Sequence, residues 1–142
     1  MPLVSITRLR VRSWRYFPAF FLQTFRSARQ AKAAEGNLAV SILREAHNTF
    51  WTRTVWNSEP DMRSFMLAGV HGRVMRSLLE WCDEAALVHW VQESPPLPSW
   101  EEAYQRLQQS GRVSKVNHPS EDHRNFRLPA PQVRAMGELR FK

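Results

Sequence analysis

The chain has 142 residues, 20 Lys and Arg against 13 Asp and Glu, a net charge of +7 with His neutral, and 43% hydrophobic residues. This length suits one core, and this apolar content excludes wholesale disorder. The lone Cys82 excludes an intrachain disulfide and a cysteine-based zinc site.

Leu3 to Val11 alternates apolar and polar residues and is rich in β-branched side chains, which reads as a strand. Arg8, Arg10 and Arg12 then form its wet face or its exit. Ser13 caps a helix running to about Ala34, with Pro18 in the first turn, where a missing N–H costs little. Phe17, Phe21, Thr24, Ala28 and Ala31 recur at helical spacing, Phe20 and Phe25 widen this face, and Gly36 ends the helix. Two strands follow, from Leu38 to Glu45 and from Thr49 to Trp56, joined by the short connection at 46–48. Ser58, Pro60 and the acids at 59 and 61 open a second helix reaching about Cys82. Gly69 and Gly72 bend or split it. Residues 84–91 supply a fourth strand. Prolines at 95, 96 and 98 close the unit, and Ser99 with Glu102 forms a capping box for a helix over 99–110 that ends at Gly111. Beyond it, prolines at 119, 129 and 131 indicate an extended tail.

This order is that of an α+β protein: a ferredoxin-like β-α-β-β-α-β unit with a four-stranded antiparallel sheet over residues 1–92, and a C-terminal extension over 93–142. The strands are apolar on both phases, so the sheet face without helices needs cover. A second copy of the chain would supply it, making a homodimer; the alternative is the chain's own C-terminal segment.

The same order resembles the dimeric α+β barrel superfamily, and more closely the uncharacterised relatives of antibiotic-biosynthesis monooxygenases and spheroidene monooxygenase. The resemblance rests on Ser13-Trp14 with Phe17-Pro18-Ala19-Phe20, on Phe50-Trp51-Thr52, and on the stretch from Asp61 to Trp90, which contains Gly69-Val70-His71-Gly72, Trp81-Cys82-Asp83-Glu84-Ala85 and His89-Trp90. It implies two sheets closing a barrel across a dimer, with a pocket between each sheet and its own helices. It also implies a choice of chemistries: oxygenation without a cofactor, haem binding, isomerisation, or ligand binding alone.

His71 shares a helical face with Leu67, Met75, Leu78 and Cys82. An imidazole there is a candidate base, proton shuttle or haem ligand, or a hydrogen-bonded core histidine. His89, in mid-strand, is a weaker candidate. His118 and His123 lack the companions that a metal site needs, and no metal site is expected. Trp51, Trp56, Trp81 and Trp90 with Phe65 are candidate walls for a flat apolar ligand, or simply bulky core. Arg53, on the Trp51 side of its strand, pairs with an anionic substrate group or with Glu45.

The charge is uneven: nine Lys and Arg against two acids over residues 1–57, four against eight over 58–110, and seven against three over 111–142. The β-α-β-β-α-β order also occurs in RNA-recognition modules. Those carry exposed aromatics in a glycine-containing strand, which residues 49–56 lack, so nucleic acid is disfavoured as a partner. No run approaches the roughly 18–20 apolar residues of a membrane span. The block from Tyr16 to Leu22 is split by proline and has no cleavage site after it, so a cytoplasmic location is expected. The expected function is that of a monooxygenase-like protein, without cofactor or with haem, binding a small, largely apolar or aromatic ligand. A dimeric ligand-binding or structural protein without chemistry is the alternative.

Overall fold

The computed structural model describes residues 2–45, 47–67, 69–93, 96–131 and 137–142, without the side chains of 69–73 and 75. Strand β1 spans Leu3–Val11. Ser13 caps a short 3-10 turn, Trp14–Tyr16, before helix α1, Phe17–Ala33, which starts with Pro18 at its first positions. Strands β2, Asn37–Glu45, and β3, Thr49–Trp56, follow. Both His47 and Asn48 take positive φ between them, at 62° and 63°, the left-handed region that tight turns require. Gly36 enters β2 at φ +83°, where a Cβ would stand 2.1 Å from the Asp61 carboxylate.

The second helical stretch is split, as its glycines allow, into α2, Glu59–Leu67, and α3, Gly69–Trp81. Strand β4, Cys82–Val91, leads through the proline segment to α4, Trp100–Ser110. There the Ser99 hydroxyl accepts from the Glu102 N–H at 3.1 Å, as the capping box requires. The C-terminal extension is more ordered than its sequence indicates. It forms β5, Arg112–Val113, α5, Glu121–Arg124, and β6, Glu138–Arg140.

Among the described residues the sheet therefore has six strands where four were expected, in the order β5-β4-β1-β3-β2-β6, all neighbours antiparallel. Its middle four strands follow the ferredoxin-like order, and the extension adds both edges. Two- and three-residue strands carry no readable alternation, which is why they were missed.

Side chains alternate between two very different environments. One face meets α1, α2 and α3. On the other, Val4, Ile6, Ala39, Leu43, Trp51, Val55, Ala86 and Val88 pack with Trp100, Ala103 and Leu107 of α4 and with Leu128. Each large side chain buried here contributes about 1.5–3 kcal/mol. The face for which a second subunit was inferred is thus covered by the chain's own extension.

Two ion pairs between strands, one buried and one half-buried, lie on this face. Arg8 donates to Glu84 at 2.7 Å, with side chains only 3% and 4% exposed, and Ser120 and Arg10 complete the carboxylate's partners at 2.7 and 3.2 Å. The arginines of β1 are therefore not a wet face. Alternation registers their polarity but not an acid 76 residues away. Burial pushes the Glu84 carboxyl up, but the hydrogen bonds from Arg8 and Ser120 and the charge of Arg8 outweigh it and hold it below the usual range.

Arg53 lies under Trp100, its guanidinium carbon 3.9 Å from the ring centroid. It donates to the Pro98 carbonyl at 2.6 Å and to the Ser41 hydroxyl at 3.2 Å, and it pairs with Glu138 of β6. The Trp100 indole donates to the same carboxylate at 2.7 Å.

Candidate functional site

The helical face of the sheet is hollow. A cavity of about 380 Å³ lies between the strands and α1, α2 and α3, within the roughly 300–1,000 Å³ of small-molecule sites. Its walls are largely apolar, with Phe20, Ala28 and Ala31 from α1, Met62 and Phe65 from α2, and Val74 and Leu78 from α3, and α1 adds the hydroxyls of Thr24 and Ser27.

Its floor is built in rungs by strand register. One rung runs His89, Ser5, Thr54, Val40 across β4, β1, β3 and β2; the next runs Leu87, Thr7, Thr52, Ile42. Phe50 and Trp56 lie beyond them along β3. Two polar rungs therefore cross the centre of an apolar enclosure. The Trp56 indole donates to the Thr54 hydroxyl at 2.9 Å, fixing that hydroxyl's place in the floor.

His89 is half-buried at the β4 end of the first rung. Burial, reinforced by Arg112 and opposed by Glu59, lowers its pKa below the ordinary imidazole value of 6.5. The ring is neutral at pH 7 and able to accept a proton from a bound molecule. Cys82 has no such role, because burial and then Asp83 push its thiol up to about 12.

Of the candidates named from sequence, the fold brings Trp56, Phe65 and His89 to the cavity. Trp51, Arg53 and Trp90 are on the opposite face, where Trp51 donates to Glu45 at 2.8 Å and Arg106 stacks over Trp90 at 5.0 Å. Trp81 packs beside the cluster of Val11, Phe20 and Phe50 and does not line the cavity. The side chain of His71 lies outside the described residues. His123 accepts from the Ala85 N–H at 3.2 Å, and His118 sits 3.3 Å from Glu80.

The hydroxyl rungs were missed. Their signal was present: Ser5 and Thr7, then Thr52 and Thr54, share one phase of strands whose neighbours on that phase are large and apolar.

Toward a haem the described lining offers one imidazole, His89, and one exposed cation, Lys115, while the side chain of His71 lies outside the described residues. No step below passes through haem. Among the described residues, no three His, Cys, Asp or Glu side chains converge as a metal site would require.

Residues 21–127 match the family model described as Domain of unknown function (DUF3291). No curated protein matches the chain. Solved structures with the same fold include a candidate antibiotic biosynthesis monooxygenase from Nitrosomonas europaea, 18% identical, covering 66% of this chain and 92% of that one with a TM-score of 0.59. A counterpart from Bacteroides thetaiotaomicron is 12% identical over 69% of this chain and 95% of its own, TM-score 0.59. A variant of SnoaB, a cofactor-independent oxygenase from Streptomyces nogalater, is 16% identical over 69% and 98%, TM-score 0.53. At these identities the likeness shows the fold.

Proposed function

The chain belongs to the DUF3291 family, and from the cavity it builds we infer that it binds a small, largely apolar or aromatic molecule with one polar edge. The observation that carries this reading is the pair of polar rungs in the cavity floor. Ser5, Thr7 and Thr52 turn half-buried hydroxyls to the cavity, and the Thr54 hydroxyl, which accepts from Trp56, still has its O–H to donate, so a ligand with its polar edge on this floor finds both donors and acceptors. The apolar walls exclude water from the rest of it.

The chemistry we propose starts at His89. Its neutral imidazole takes the proton of an acidic hydroxyl on the bound ring, leaving an electron-rich anion in a water-poor enclosure. Such an anion is the species that reacts with oxygen when no cofactor takes part, which fits the monooxygenase-like neighbours.

The test uses calorimetric titration with naphthols and their parent hydrocarbons, followed by oxygen uptake under air. Naphthols are expected to bind about tenfold tighter, the worth of one or two hydrogen bonds. Equal affinity for the hydrocarbons would remove the polar floor from the account. Oxygen uptake lost in His89→Gln supports the catalytic reading; tight binding without uptake leaves a ligand-binding protein.

A further inference from the structure

Most of the excess positive charge of the first 57 residues resolves, in the structure, into one surface. Arg8 and Arg10 are paired with Glu84, Arg12 with Glu80, and Arg53 with Glu138, and Arg44 of β2 lies against the rings of Phe17 and Phe21, 6.0 and 5.2 Å from their centroids. Arg15, Arg26, Arg29 and Lys32 have no ion pair among the described residues. No acid occurs between Ser13 and Ala34. At helical spacing these four cations fall on about one third of the circumference of α1 and its preceding turn, all of them exposed.

The same stripe holds Trp14, 75% exposed, Leu22, 51%, and Phe25, 44%, the last touching Phe141 ring to ring at 5.7 Å. The opposite side of α1, with Phe20, Ala28 and Ala31, is buried against the sheet. The outward side is convex and mixes long cations with large apolar groups along its whole length. We propose that this stripe seats the protein on an anionic lipid surface, with α1 lying in the interfacial plane.

The sign of the charge selects an anionic partner. Each Lys or Arg near such a surface contributes about 1 kcal/mol, and Trp, Leu and Phe enter the headgroup boundary. A second copy meeting this stripe through its own would oppose four cations to four, which disfavours self-association here. Phosphates of a nucleic acid would satisfy the cations but leave Leu22 and Phe25 without a role. The stripe and the cavity are opposite sides of one helix, so an apolar ligand dissolved in lipid would have a short way in. The proposal stands without that ligand reading, because its test contains no ligand.

Full-length protein is co-sedimented with vesicles of phosphatidylglycerol and phosphatidylcholine, and with vesicles of phosphatidylcholine alone. Two variants of exposed residues are compared, Arg26→Glu with Arg29→Glu and Lys32→Glu, and Trp14→Ser with Leu22→Ser, each checked by circular dichroism and melting. The expected result is salt-sensitive binding to the anionic vesicles only. It weakens roughly a hundredfold or more in the charge variant and about tenfold or more in the apolar variant. No vesicle binding, binding that both folded variants retain, or displacement from vesicles by single-stranded RNA that the apolar variant binds equally well would each overturn the proposal.

Discussion

The two faces of one sheet have opposite fates in this molecule. The outer face is filled: Trp51, Leu43 and Val55 lie under α4, and the charged groups among them, Arg8 and Arg53, are bound to Glu84 and Glu138. The helical face is left hollow around two polar rungs that make no comparable network. Filled surfaces stabilise a fold; a cavity lowers its stability and is kept where something else is meant to enter. The contrast assigns stability to the outer face and binding to the inner one.

The largest effect belongs to the filled face. Glu84→Ala leaves the Arg8 guanidinium buried without its carboxylate, and urea unfolding should show a loss of about 3–5 kcal/mol. A loss below about 1 kcal/mol would mean that water reaches Arg8 and that the outer face is looser than described.

A matched pair of substitutions then compares the faces directly. Ala103 of α4 and Ala28 of α1 are both buried, one in the filled layer and one on the cavity wall. Ala103→Phe should cost about 1–3 kcal/mol or more through overpacking, whereas Ala28→Phe extends into the hollow and should stay within about 1 kcal/mol of the wild type. Equal costs would remove the distinction.

Removing the floor's hydroxyls is milder. Thr7→Val with Thr52→Val keeps shape and deletes two polar groups, so naphthol affinity should fall up to about tenfold while the parent hydrocarbons bind as well or better.

The smallest effect is the pH dependence of His89. Folding lowers its pKa, so the unfolded chain binds the proton more readily. The stability it contributes is complete above about pH 6.5 and is lost as pH falls through the lower folded value. Melting curves between pH 7.5 and 5 should show wild-type stability dropping more steeply than that of His89→Gln.

Much of this architecture was legible in the chain. The four central strands and the capped helix at Ser99 followed from alternation and capping, which act locally. Which face of a strand meets which layer did not follow. Period two shows that Trp51 and Arg53 share a face, but both faces here are apolar, so nothing local shows that theirs meets α4 and not the cavity. The partners of Arg8 and Arg53 lie 76 and 85 residues away, and β6 is too short to announce itself. Tryptophan therefore pointed both ways, Trp56 to the cavity and Trp51 and Trp90 to the filled face, while the hydroxyls of Ser5, Thr7, Thr52 and Thr54 marked the cavity side.

The most direct test of the division between the faces is titration of a neutral fluorescent probe, N-phenyl-1-naphthylamine, into the wild type, Ala28→Phe and Glu84→Gln. The account predicts one saturable site in the wild type, kept in the folded fraction of Glu84→Gln and lost in Ala28→Phe while that variant still melts cooperatively. Saturable binding that survives in Ala28→Phe, or none in the wild type, would contradict it.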